Sequence, residues 1–146
     1  MVKKMIEIKN KKAYFDYTVL EEMEAGISLV GTEIKSIRKG SVDLKDSFVS
    51  IKNNEAFILN MYIAKYEEGN IFNHDERRTR KLLLHKKEIK KLKEKVSTEG
   101  LTLIPLKIYF KKNYVKVLIG LCKGKKLYDK RASIKERDLK RETRYY

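Results

Sequence analysis

The sequence of 146 residues lacks the features that define several protein classes. Its single cysteine, Cys122, excludes an internal disulfide framework and a zinc site built from several cysteines. No apolar run approaches the roughly 20 residues of a membrane-spanning helix. Residues 1–12 show neither the apolar stretch nor the cleavage site of a signal peptide. We therefore expect a soluble cytoplasmic protein with no membrane partner.

Catalytic signatures are missing as well. The two histidines, His74 and His85, stand outside the spacings of common metal sites, and neither GxSxG nor GxGxxG occurs. Residues 120–125 resemble a phosphate-binding loop, but the spacing is one residue short and Lys126 stands where Ser or Thr should hold magnesium. We expect no metal, no cofactor and no enzymatic activity.

Acidic residues are few for a chain this charged. There are 35 Lys and Arg against 20 Asp and Glu, a formal net charge of +15. The excess is clustered, because residues 77–95 hold ten basic and two acidic residues, and residues 123–146 hold ten and four. Clustering favours a surface for a polyanion, with nucleic acid first and an anionic membrane second, although a coding bias toward lysine would also raise the count.

Hydrophobic patterning predicts many short strands. Strands are expected at 13–20, 47–52, 55–64, 102–110 and 114–121, with a bend or bulge at 21–26 and extended chain at 27–30. Asn53 and Asn54 form a two-residue connection that tolerates positive φ, which is typical of a hairpin. Residues 67–80 are polar and irregular and are expected to form an exposed loop.

Two segments have helical spacing. Val30, Ile34 and Ile37 share one face, with Thr32 as the expected N-cap and Gly40 as the end. The clearer helix covers 85–96 and ends before Gly100. Short antiparallel strands with inserted helices predict a mainly β fold, an OB-fold-like antiparallel barrel with flanking helices, over residues 1–126.

Residues 127–146 form a different region. They offer no continuous apolar face, so we expect a basic tail that is disordered when free and becomes helical on a polyanion. Ser133 and Glu136 have the spacing of a capping box, but such local interactions are too weak to hold a short helix in water. A merely solubilising extension is the alternative.

Two basic segments carry the candidate binding chemistry. In the first, Arg77, Arg80 and Lys81 precede an apolar anchor, so that the guanidinium groups are expected to face outward toward phosphates; a solvated basic helix is the alternative. In the second, Gly124 allows close approach of the backbone and Tyr128 offers a ring for stacking; a flexible basic linker explains it equally well.

Four motifs carry a family resemblance. They are EAGI at 24–27, GTEIKSIR at 31–38, NHD at 73–75 followed by 77–85, and GKK at 124–126 followed by DKR at 129–131. Each is weak alone, but all four in this order are specific. The chain resembles the bacterial SsrA-binding protein (SmpB) family from residue 11 to residue 137.

The resemblance implies a function. Family members bind the tRNA-like domain of transfer-messenger RNA and deliver it to stalled ribosomes, and their tail enters the empty mRNA channel beyond the decoding centre. It thus implies transfer-messenger RNA and the ribosome, with its rRNA, as partners of a chain that is monomeric when free. A structural ribosomal or assembly protein that binds rRNA permanently is the alternative, and an enzyme acting on RNA is a distant third.

The residues divide into two candidate sets. The candidate RNA-binding residues are Glu24, Lys35, Arg38, Arg77, Arg80, Lys81, Leu83, His85, Lys123, Gly124, Lys125 and Lys126. The candidate ribosome-contacting residues of the tail are Tyr128, Asp129, Lys130, Arg131, Lys135 and Arg137. The resemblance implies roles for Glu24, Leu83, His85 and Gly124, while charge and position add the other members of the first set.

Overall fold

The structure is a computed structural model that describes residues 7–66 and 73–125. The predicted tail, with Lys126 and the six candidate ribosome-contacting residues, lies outside the described residues. The elements within the described part are β1 (Glu7–Lys9), α1 (Lys11–Asp16), β2 (Tyr17–Ile27), α2 (Gly31–Arg38), β3 (Val42–Asp43), β4 (Phe48–Lys52), β5 (Glu55–Leu59), β6 (Tyr62–Ile63), β7 (Arg80–Leu83), α3 (Lys86–Glu99), β8 (Thr102–Lys111) and β9 (Tyr114–Gly124).

One large antiparallel sheet organises the fold. Its seven strands lie in the order β1-β8-β9-β2-β7-β5-β4, and a separate pair joins β3 to β6. The strand at one edge, β4, also contacts β8 beside the other edge, so the sheet curls round on itself. The expected mainly β fold with flanking helices is confirmed.

The core lies inside the curled sheet. Ile58, Met61, Ile63, Leu82 and Ile108 are fully or almost fully buried there. Helix α3 adds Ile89 and Leu92 to this core. A second, smaller cluster forms where Ala13 of α1 packs with Leu106 and Cys122.

The prediction of a strand over 13–20 is wrong for its first half, because residues 11–16 form α1. Asn10 explains the difference: its side chain accepts the N–H of Ala13 at 3.2 Å and donates to the carbonyl groups of Leu44 and Pro105. These long-range bonds fix the helix start and are invisible to local patterning. Beyond α1, β2 runs to Ile27, so the bend or bulge expected at 21–26 is wrong: those residues pair regularly with β9, and the register shift lies earlier, between Val19 and Glu21.

The structure also corrects the strand predicted at 55–64 and the loop predicted at 67–80. The strand expected at 55–64 divides at Asn60, which has a φ of 62°, and its last part pairs with β3 as β6. The loop expected at 67–80 ends in β7, which inserts between β2 and β5. The hairpin at Asn53 and Asn54 is confirmed, since both residues have positive φ.

Candidate nucleic-acid interface

The outer side of the sheet gathers residues from four strands. In the strand register, Leu83 of β7 lies opposite Gly26 of β2, Gly26 opposite Lys116 of β9, and Lys116 opposite Tyr109 of β8. Their chain neighbours Ala25, Ile27, Leu82, Ile108, Val115 and Val117 are buried on the inner side. We call this surface the sheet face; its residues are Glu24, Gly26, Leu83, Tyr109, Lys111 and Lys116.

Glu24 is the polar centre of the sheet face. The Tyr109 hydroxyl donates to one Glu24 carboxylate oxygen at 2.5 Å, and the Lys111 ammonium lies 3.4 Å from the other. The bond from Tyr109 and the charge of Lys111 hold the pKa of Glu24 below its usual value. Partial burial and the same bond raise the pKa of Tyr109 to about 12. At neutral pH the Glu24 carboxylate is therefore charged, and it accepts a hydrogen bond from the neutral hydroxyl of Tyr109.

Leu83 gives the sheet face an exposed apolar group. Its exposed fraction is 56%, and a Cβ on Gly26 would lie only 3.2 Å from the Leu83 Cβ. Leu83 thus lies over Gly26, where the missing side chain leaves space for it. The result is an apolar contact point that a planar base could cover.

Lys81 and His85 border the sheet face. Lys81 lies on the outer side of β7 and is 3.3 Å from the Glu55 carboxylate. His85 is the N-cap residue of α3, and its side chain is 91% exposed, with Nε2 3.9 Å from the Glu88 carboxylate. The His85 ring is therefore available to stack on a base or to donate to a phosphate.

Three other predicted residues lie outside the sheet face. Lys35 of α2 lies over the ring of Tyr66, and Arg38 lies over the ring of Phe110. Arg77 lies over the Tyr62 ring and donates to the Asn60 side chain at 3.0 Å. The structure records no contact between these three cations and the sheet face within its described residues.

The expectation that Arg80 points outward is wrong. Its side chain is fully buried and forms an ion pair with Glu33, which is also fully buried. The guanidinium also donates to the Met61 carbonyl at 2.7 Å. Arg80 is the first residue of β7, where strand alternation turns its side chain inward, so it serves the fold and offers nothing to RNA.

Lys123, Gly124 and Lys125 form a separate group at the end of β9. Gly124 pairs with Tyr17, and the backbone N–H of Lys125 donates to the Asp16 carbonyl at 2.9 Å. Along β9, the seven steps from Lys116 to Lys123 span roughly 23 Å at about 3.3 Å per residue. This group therefore lies well away from the sheet face.

Tyr109, Lys111 and Lys116 were missed in the sequence analysis. The alternation of residues along β8 could have indicated two of them, because Tyr109 and Lys111 alternate with buried or half-buried residues and must share the outer side of the strand. The turn between β8 and β9 predicts that these two strands pair, but the sequence does not show the pairing of β9 with β2. Without that order, nothing placed these side chains near Glu24.

The described residues offer little support for other kinds of site. Over 7–66 and 73–125, no group of three or more His, Cys, Asp or Glu side chains could hold a metal ion. In the same ranges, every helix is too short or too polar to cross a membrane.

Comparison with known proteins identifies the family. The sequence model of the family described as SmpB protein matches residues 7–145. The chain belongs to the SmpB family. The SmpB match covers all six candidate tail residues as well as the sheet face, and the comparison assigns no catalytic family.

Individual relatives agree. The SsrA-binding protein of Carboxydothermus hydrogenoformans is 58% identical over 134 residues, which is 92% of this chain and 90% of the relative. That of Ligilactobacillus salivarius is 55% identical over 136 residues, 93% of this chain and 88% of the relative. A solved SmpB chain, described as "tmRNA-SmpB: a journey to the center of the bacterial ribosome", is 52% identical with a TM-score of 0.70, covering 83% of this chain and 85% of that chain.

Proposed function

We propose that this chain binds the tRNA-like domain of transfer-messenger RNA, the SsrA RNA, and delivers it to stalled ribosomes for trans-translation. The observation that carries the proposal is the SmpB match over residues 7–145, with relatives named SsrA-binding proteins. The chain acts as a cytoplasmic adaptor: it catalyses no reaction and needs neither metal nor cofactor.

The sheet face supplies the chemistry for a folded RNA. Leu83 and the ring of Tyr109 contact bases or sugars, while Lys111 and Lys116 approach phosphates. Glu24 cannot bind phosphate, because its charge repels it. Its carboxylate instead accepts hydrogen bonds from base amino groups or 2′-hydroxyls, which makes the surface selective for RNA groups as well as for charge.

Residues 127–146 are assigned to the ribosome. In this proposal Tyr128 stacks in the decoding centre, and Asp129, Lys130 and Arg131 begin the segment that enters the mRNA channel. Lys135 and Arg137 then contact rRNA phosphates. Lys35, Arg38, Arg77, Lys123, Gly124 and Lys125 stay candidates for contacts outside the sheet face.

Leu83→Ala tests RNA binding by the sheet face. The substitution removes the exposed apolar contact and should weaken binding of a tRNA-like transcript about tenfold, which corresponds to about 1.4 kcal/mol. Leu20→Ala is the matched control, because Leu20 is a similarly exposed leucine, at 52% against 56%, outside the sheet face. Equal affinities of the two variants in a filter-binding titration would contradict the role of the sheet face.

Truncation before Asp129 tests the tail. The shortened chain should bind the tRNA-like transcript as tightly as the full chain, because the sheet face is intact. It should not support peptide tagging on stalled ribosomes in a reconstituted translation reaction. Full tagging by the truncated chain would refute the role of the tail and would favour permanent rRNA binding.

A further inference from the structure

A groove separates α3 from the turn between β4 and β5. It has a volume of about 850 Å³, and its walls include Lys86, Lys90 and Lys93 of α3 on one side and Asn53 and Asn54 on the other. The three lysines are at positions i, i+4 and i+7, so they follow one side of the helix. The groove also contains the carboxylates of Glu55 and Glu94, and Glu55 pairs with Lys81.

The groove lysines are exposed and lack acidic partners. Within the described residues, none of them forms an ion pair at 4.0 Å or less. Lys95 on the same helix behaves differently, because its ammonium lies 2.7 Å from Glu21 and helps to hold α3 against β2. The charge of the groove lysines is therefore not used within the described part of the protein.

The position of Lys86, the first of these lysines, opposes the helix dipole. The N-terminus of a helix carries partial positive charge, which disfavours cations there and favours them at the C-terminus. Helix α3 has Lys86 and Lys87 in its first turn beside one acidic residue, Glu88, and no basic residue in its last turn. Helix α2 follows the favourable pattern, with Glu33 in its first turn and Lys35 and Arg38 in its last. A bound anion would reverse this penalty in α3.

The opposite wall and the end of the groove suit a nucleic-acid strand. Asn53 and Asn54 are exposed, and their side-chain amides provide uncharged hydrogen-bonding groups. An adjoining groove is lined by Asn54, Leu83, His85 and Lys86, so the lysine groove continues to the border of the sheet face. Lys81 and Glu55 also line this adjoining groove, so an RNA strand that leaves Leu83 meets charged and polar groups before it enters the lysine groove.

We propose that the groove between α3 and the β4–β5 turn binds the phosphate backbone of an RNA strand without reading its sequence. The inference rests on the proposed function, since it takes RNA as the ligand. The seven steps from Lys86 to Lys93 rise about 10.5 Å at 1.5 Å per residue. That distance matches about three phosphates at roughly 3.4 Å of axial rise each, so each lysine neutralises about one.

The test removes the three charges together. The groove variant K86Q/K90Q/K93Q is compared with K11Q/K45Q/K65Q, which loses the same charge from exposed lysines outside α3. The probes are a tRNA-like transcript and a short RNA duplex of arbitrary sequence. Affinities are measured over a range of salt concentrations, and thermal midpoints are measured for every variant.

The groove variant should lose affinity for both RNAs and should flatten the slope of log affinity against log salt by two to three, at about 0.9 per phosphate. The control should change the slope by less than one. The groove variant should melt close to the wild-type temperature, because none of the three lysines forms an ion pair within the described residues. Loss of RNA binding together with a lower melting temperature would overturn the proposal, as would variants indistinguishable on both RNAs.

The two proposals fail in different ways. If the wild-type chain ignores the tRNA-like transcript but binds the duplex through the groove lysines, the proposed function fails and the groove assignment stands. If Leu83→Ala weakens transcript binding and the groove variant does not, the groove assignment fails alone. Binding of phosphatidylserine vesicles that requires the lysines, with RNA binding unchanged, would assign the groove to a membrane and overturn the proposal.

Discussion

Arg80→Met separates a buried structural cation from the surrounding basic segment. Arg80 and Glu33 are both fully buried, so the substitution leaves the Glu33 carboxylate inside the fold without one of its partners. It also removes the donor that the Met61 carbonyl accepts at 2.7 Å. We expect a loss of stability with RNA binding retained wherever the variant is folded.

The expected loss of stability depends on the partners that Glu33 keeps in the variant. Removing one member of a buried ion pair costs about 3–5 kcal/mol. Glu33 keeps Arg78, at 2.6 Å, and the backbone N–H of Val30, at 3.0 Å, so the cost should fall near 3 kcal/mol. At about 2–4 °C per kcal/mol for a chain of this size, the melting temperature should drop by at least roughly 6 °C.

The effect should depend on pH. Burial alone would raise the pKa of Glu33, but the bonds from Arg78, Val30 and Arg80 outweigh it and place the pKa below the ordinary value of 4.5. A lowered pKa in the folded state stabilises the fold above the unfolded pKa, and this contribution disappears as the pH falls through the folded pKa. The difference in stability between wild type and Arg80→Met should therefore be largest near neutral pH and should decrease in acid.

The assay is thermal unfolding followed by circular dichroism, with RNA binding measured at a temperature where both proteins are folded. Arg77→Met is the matched control, because Arg77 is an exposed arginine three residues away whose contacts with Asn60 and Tyr62 are at the surface, so its loss should cost no more than about 1 kcal/mol. Equal melting temperatures for the two variants, or a loss of RNA affinity in folded Arg80→Met, would refute the structural role.

Two further predictions concern the sheet. Gly120→Ala should destabilise the fold by about 1–3 kcal/mol in chemical denaturation, because the new Cβ would lie 2.6 Å from the Leu106 Cδ1. The control, Gly31→Ala, should cost less than about 0.5 kcal/mol, because nothing lies within 4 Å of its new Cβ. Equal losses of stability in the two variants would contradict the packing argument. Burial raises the pKa of the Cys122 thiol to about 11. Near neutral pH the native protein should therefore react with a disulfide reagent far more slowly than the unfolded chain. Equal reaction rates for the native and unfolded protein would contradict the burial of Cys122.

The sequence predicted the parts of the fold that depend on near neighbours. The hairpin at Asn53 and Asn54 follows from residues that tolerate positive φ, and the long helix follows from Ile89 and Leu92 on one side. Gly100 ends that helix with a φ of 64°, as its position predicted. In each case the interactions that decide the conformation lie within about one turn of the residue.

Where prediction failed, distant partners decided the structure. The start of α1 depends on Asn10, which bonds to carbonyl groups 34 and 95 residues away. Arg80 is turned inward by Glu33, which lies 47 residues before it. Counting charges along a segment treats every arginine alike, so it cannot distinguish a cation that completes the core from one that faces solvent.

The candidate binding residues also separate in space, and this constrains the partner. Glu24 and Leu83 belong to the sheet face, while Gly124 ends β9 roughly 26 Å from Lys116, at about 3.3 Å per residue. A short single-stranded RNA that lies across two paired β-strands would not reach both groups and the lysine groove of α3 as well. A partner that contacts all three must present phosphates on more than one side of the protein, as a folded RNA with helical arms does.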